Sequence, residues 1–308
     1  MSAQVGVSSA ATAVRRASAL PGLLTAARPK QWPKNLILFG PLVFAYKLLA
    51  PDLLARELAA FLAFCLVSSA IYMINDVLDL ENDRVHPEKR FRPLASGQVT
   101  VAQSIAAACV LGLGGIGLAF VVSLPLGLAA AGYVALMLGY STALKHLVII
   151  DVFAIAAGFV VRAVAGALAI SVVISPWLYV CTLLLALFLG FSKRYNELLL
   201  LEDSAAGHRR SLSEYTPAML EQLMSILVAS TIMAYSLYTF SAESLPANHS
   251  MMVTIPMVLY GIFRYYYLVH KRNLGGAPEL VLLRDLPLML DVALWGAVAV
   301  AVLYIGGK

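Results

Sequence analysis

Four polar side chains in one short stretch, Asn75, Asp76, Asp79 and Asp83 of IYMINDVLDLENDR, are the first residues whose spacing suggests chemistry. At about 100° per residue on an α-helix they fall within roughly a third of the circumference, which stacks three carboxylates on one face. Like charges at this spacing repel, and acids near a helix C-terminus oppose the macrodipole. A divalent cation removes both penalties. Hard oxygen ligands, with water and substrate phosphates completing the shell, describe Mg2+. The alternative is a solvated helix end without a ligand. Arg84, Lys89, Arg90 and Arg92 follow directly. A basic loop beside a metal-binding face suits a diphosphate, whose charge metal and guanidinium groups would share. The same cations could serve only to set membrane topology.

The elements that must position these residues are membrane helices. The chain has 308 residues, 61% hydrophobic and only 13% charged, with a mean hydropathy of +0.84. A soluble domain is usually about half apolar and a quarter charged, so the fold class is all-α and polytopic. Apolar segments of roughly spanning length lie near 34–51, 57–79, 101–121, 124–143, 149–170, 176–192, 217–241, 251–270 and 287–305, about nine in all. With the N-terminus cytoplasmic, only Lys47, Arg56 and Lys308 of the 22 Lys and Arg fall outside, and Arg162 lies within a span. That asymmetry predicts an N-in, C-out protein of the cell membrane. Outer loops carry little beyond Asp52, Glu57, Glu243 and His249, so the chemistry is expected at the cytoplasmic face.

Residues 1–27 read as a flexible cytosolic tail without the apolar core of a signal peptide, and 28–308 as one catalytic domain. Cys65, Cys109 and Cys181 sit apart in apolar runs, as packing residues do. The glycines at 112, 114, 115 and 117 suggest close helix packing, and exposed small-residue faces would allow a homo-oligomer. No feature points to nucleic acid.

Other polar residues extend the candidate site. Lys34 opens the first span in RPKQWPKN, as a phosphate ligand or an interfacial anchor. Tyr140 and Lys145 in YSTALKH could bind phosphate oxygens or form an interfacial belt. Asp151 and Arg162 share a face of the fifth span, about 16 Å apart along it, and an intramembrane arginine usually faces a cavity or a partner. The segment GFSKRYNELLLLED offers Lys193, Arg194 and Glu197.

NDVLDLENDR resembles the NDxxDxxxD motif of the UbiA superfamily of intramembrane prenyltransferases. The resemblance implies a nine-helix bundle with a cytoplasm-facing, Mg2+-dependent cavity. It assigns Asn75, Asp76, Asp79 and Asp83 to holding a metal-bound diphosphate. Members that prenylate aromatic rings mostly carry a second Asp-rich motif between spans six and seven, where this chain has Lys193, Arg194 and Glu197. One acidic and one basic face would suit two phosphorylated substrates. RPKQWPKN, NDVLDLENDR, HPEKRFRP, VVRAVAG, SKRYNEL and GGAPELVLLRD together are similar to one branch of the superfamily. For that branch the resemblance implies transfer of 5-phosphoribose from phosphoribosyl diphosphate to a polyprenyl (decaprenyl) phosphate lipid in the bilayer, with release of diphosphate. The product would feed decaprenylphosphoryl arabinose and cell-wall arabinan. Lys193, Arg194 and Arg162 are then expected at the acceptor phosphate or the donor's 5-phosphate. Two other readings stay open. One is a prenyltransferase acting on a polyprenyl diphosphate and an aromatic or other acceptor. The other is a transporter, which would place acids near the bilayer midplane. The stretch His208 to Thr216 reads as a lid or a surface loop.

Overall fold

The computed structural model describes residues 19–173, 175–202, 210–242, 245–272, 275–276, 281 and 284–305. His208, Arg209, Glu243, most of GGAPELVLLRD and Lys308 therefore lie outside the described residues. Within them every regular element is helical. A short α1 (Ala19–Ala26) leads through a 3-10 helix, Pro29–Phe39, to α2 (Gly40–Phe44). Then come α3 (Pro51–Leu78), α4 (Leu80–Val85), α5 (Val101–Val122), α6 (Leu124–Thr142), α7 (Ile150–Ala169), α8 (Pro176–Glu202), α9 (Pro217–Ser241), α10 (Ile255–Arg272) and α11 (Leu286–Tyr304).

Local chemistry sets the helix starts. Thr100 and Gln103 close a capping box on α5, while Ser123, Thr216 and Asp285 cap α6, α9 and α11. Proline stands in the first turn of α3, α6, α9 and α11, where a missing N–H costs nothing. Asp285 also pairs with Arg264 at 2.8 Å, and that hydrogen bond holds its carboxyl below the usual carboxylate range.

Among the described residues, eight helices are long and apolar enough to cross a membrane. The expected first span, 34–51, is not among them, and the reason is geometric. Pro33 removes a donor that an α-helix through this segment would need, and residues Pro29–Phe39 wind as a 3-10 helix instead. It runs antiparallel to α3. Phe39 meets Phe61, the Asn35 amide donates to Cys65 and Ser68, the Trp32 indole donates to Ser69, and Arg28 reaches Asp76. Going back from residue 39 to 28 covers about 22 Å at a 3-10 rise of ~2.0 Å per residue. Going from 61 to 76 covers about the same at the α rise of ~1.5 Å. The segment thus matches residues 61–76 of α3, about half of that helix, with fewer residues. At the far end the Tyr304 hydroxyl donates to the Val43 carbonyl and accepts from the Leu48 N–H.

Two apolar clusters divide the bundle, and α7 belongs to both. Val152 and Ala156 pack with α8, α9 and α10, whereas Ala165 and Ala169 pack with the first segment, α3, α5 and α6. Within residues 1–27, α1 lies against α3 and α5, with Ala26 and Ala27 buried.

Glu57, expected in an outer loop, is a second departure. It sits inside α3, fully buried, and among the described residues neither carboxyl oxygen has a hydrogen-bond partner. It lies beside Gly166, where an added methyl would stand 2.0 Å from the Leu38 carbonyl oxygen and 3.0 Å from Glu57 Oε1. The glycine run on α5 is only half a packing face. Gly115 and Gly112 face α3, whereas Gly114 and Gly117 have nothing within 4 Å. Gly166→Ala should therefore destabilise the protein by about 1–3 kcal/mol, because backbone must give way. Gly114→Ala should stabilise it by about 0.5–1 kcal/mol. Thermal unfolding in detergent measures both; an unchanged midpoint for Gly166→Ala would refute the close approach.

Candidate active site

The carboxylate ladder crosses a break between two helices. Asp79 leaves helical geometry (φ −97°, ψ 7°), yet its N–H still bonds the Asn75 carbonyl at 2.9 Å, and the Asp83 N–H bonds the Asp79 carbonyl at 2.8 Å. The helical progression continues through the break, so the acids stay on one face. Arg92 shows this directly: one guanidinium nitrogen bonds both Asp76 (3.0 Å) and Asp83 (2.5 Å).

Each ladder carboxylate has a cationic partner. Asp76, 3% exposed, also accepts from Arg28, whose guanidinium covers the Tyr72 ring. Lys145 donates to Asp79 at 2.6 Å, and the Asn75 amide holds the other oxygen of Asp79 at 3.0 Å. Beside Asp76 lies a cavity of about 330 Å3 whose walls include Arg28, Glu88, Phe91 and Arg92. Among the described residues no three His, Cys, Asp or Glu side chains converge into a metal cage. Mg2+ is usually held by one or two carboxylates plus water and substrate phosphates, so this oxygen-donor set fits it.

The loop after α4 splits the basic residues expected there. Arg92 turns inward to the ladder, whereas Arg84 pairs with Glu81 on the exposed side and Arg90 lies over the Phe91 ring. Lys89 is half-buried, and its N–H, with that of Glu88, bonds Nδ1 of His86. Burial and the nearby Lys89 charge hold the His86 pKa below its ordinary value.

The expected basic half of the site is arranged differently from the sequence reading. Arg194 is 1% exposed and bonds Asp151 at 2.7 Å, Glu197, and the Tyr140 hydroxyl at 3.3 Å. Asp151 also accepts from the Tyr215 hydroxyl (2.8 Å), which in turn accepts from the Ile149 N–H. Burial pushes the Tyr215 pKa up. Asp151, Arg194 and Tyr140 thus join α6, α7 and α8 to the segment after Arg210, whose Ser211 bonds the Lys145 carbonyl. That part of the His208–Thr216 stretch is pinned, not hanging.

Arg162 does not answer Asp151. Its guanidinium bonds Asn35 (2.7 Å), the Gly158 carbonyl and the Tyr133 hydroxyl (2.6 Å), and lies over the Tyr133 ring. It clamps the first segment to α6 and α7. The guanidinium donors of Arg162 and Arg194 are both engaged by these partners within the described residues. Lys34 is half-buried, and Lys193, 4.0 Å from Glu197, is 42% exposed. Arg28, Asn35 and Tyr133 were missed. For Arg28 the available signal was charge balance, because the acids of the ladder need cationic partners from somewhere.

A helical bundle with a carboxylate ladder at one end matches solved structures of the same architecture. A UbiA homolog from Archaeoglobus fulgidus, solved bound to GPP and Mg2+, superposes with a TM-score of 0.71 over 92% of this chain and 100% of that one, at 19% identity. The model of the UbiA prenyltransferase family matches residues 18–284, and the chain belongs to that family. It is also 36% identical over 290 residues to the decaprenyl-phosphate phosphoribosyltransferase of Corynebacterium glutamicum, covering 92% of this chain and 87% of that one. The enzyme of that name from Mycolicibacterium smegmatis is 32% identical over 295 residues, covering 92% and 93%.

Removing the Asp151 carboxylate should leave Arg194 buried without its partner. Asp151→Ala is expected to cost about 3–5 kcal/mol, and the double variant Asp151→Ala/Arg194→Met to recover part of it. Thermal unfolding of the purified variants reads both values. An Asp151→Ala protein as stable as the parent would contradict the structural role.

Proposed function

We propose that this protein transfers 5-phosphoribose from phosphoribosyl diphosphate to a polyprenyl phosphate, with release of diphosphate. The reading is carried by the interleaving of Asp76, Asp79 and Asp83 with Arg28, Arg92 and Lys145. A metal-bound diphosphate answers both sets of charges. The names of the relatives at 32–36% identity supply the transferred group and the lipid acceptor.

Asn75, Asp76, Asp79 and Asp83 would hold Mg2+, which supplies charge neutralisation of the leaving diphosphate. Arg28, Arg92 and Lys145 donate to its oxygens from the same side. Lys34 and Lys193, neither of them fully buried, are assigned to the acceptor phosphate. The bond from ribose C1 to the diphosphate oxygen breaks as the lipid phosphate oxygen bonds C1 from the opposite face. That oxygen is already anionic, so the chain need not supply a strong base. Positioning of the two anions accounts for most of the rate. The excess of Lys and Arg at the ladder end supports a site on the cytoplasmic side of the cell membrane.

Membranes holding the protein, incubated with labelled phosphoribosyl diphosphate and polyprenyl phosphate, should form a labelled lipid, and a chelator should stop it. Asp76→Asn and Asp79→Asn should each lower turnover by about 100-fold or more in protein that still folds. Full activity in either variant, or label entering no lipid, would overturn the assignment.

A further inference from the structure

The buried arginines of this protein fall into two groups. Arg162 and Arg194 are 5% and 1% exposed, sit within α7 and α8, and have their donors committed to fixed partners. Arg28 and Arg92 have side chains 25% exposed and stand on connecting segments outside the spans, and both line the 330 Å3 cavity beside Asp76. Both also donate to the same atom, Asp76 Oδ1. A divalent cation arriving alone at Asp76 meets two guanidinium charges, and a diphosphate arriving alone meets the carboxylates of Asp76 and Asp83. Each is repelled by half of the site. Arriving together, they leave every buried charge with a partner: the carboxylates turn to the metal and the guanidinium groups to phosphate oxygens.

Resting on the metal–diphosphate reading above, we propose that Arg28 and Arg92 are exchange residues. They are counter-ions of the ladder until substrate arrives, and ligands of the diphosphate afterwards. Metal and diphosphate therefore bind cooperatively, and neither loads well alone. Lys145 repeats the arrangement on Asp79, where the Asn75 amide supports the carboxylate during the exchange.

Equilibrium dialysis of the full-length protein in detergent, with Mn2+ and labelled inorganic diphosphate as probes, tests this without turnover. Each probe should raise the retention affinity of the other by about tenfold or more, within the usual range of coupling between two ligands. Arg28→Gln and Arg92→Gln should each tighten Mn2+ binding alone and shrink the coupling, whereas Arg28→Lys should preserve it. Mn2+ retained as tightly without diphosphate as with it would overturn the exchange, and the parent protein alone decides that point. Coupling unchanged in both glutamine variants would also overturn it. If neither probe is retained even when both are present, the metal–diphosphate reading itself fails.

Discussion

An ion inside a lipid-embedded bundle must have its charge answered within hydrogen-bond reach, and the architecture follows from that requirement. Taking a carboxylate or guanidinium out of water costs several kcal/mol after relaxation, and only good geometry to a counter-charge offsets it. Arg162 meets the demand with a neutral set of Asn35, Tyr133 and a backbone carbonyl, together with aromatic faces. Arg194 meets it with two carboxylates. The ladder meets it with cations from three separate segments: the start of the 3-10 helix, the loop after α4 and the end of α6.

These solutions also hold the two halves of the bundle together. The apolar clusters meet at α7, which is rich in alanine and glycine. Arg162 pins one half to α7 near its middle, while Asp151 and Arg194 pin the other near its start. A clamp of this kind fixes where the ladder, Lys145 and the pinned 211–215 segment sit relative to one another. Structural ion pairs and the site are therefore linked through one small-residue helix.

Much of this was legible in the sequence, for reasons that differ by residue. The spans were readable because a bilayer leaves helices as the ready means of satisfying backbone groups, and hydropathy then marks their length. The ladder was readable because Asn75, Asp76, Asp79 and Asp83 keep helical spacing, and the structure preserves it through the break at Asp79. Partner choice was not readable. Arg28, Arg84, Arg90 and Arg92 look alike as topology-setting charges, and only folding turns Arg28 and Arg92 inward and Arg84 outward. The partner of Arg194 was equally hidden, because its neighbours in sequence, Lys193 and Glu197, suggest an open polar face, whereas Asp151 lies 43 positions away. Glu57 was misplaced because its position depends on how deep α3 begins, and hydropathy does not resolve a single turn.

The 3-10 winding of the first segment sets a length. Over its 11 residues, rewinding into an α-helix would shorten it by about 5 Å, close to one helical pitch. Arg28, at the end of that strut, would then fall short of Asp76. Pro33, which opposes the shorter helix, thereby acts as a gauge block, setting how far Arg28 extends toward the acids at the mouth of the bundle.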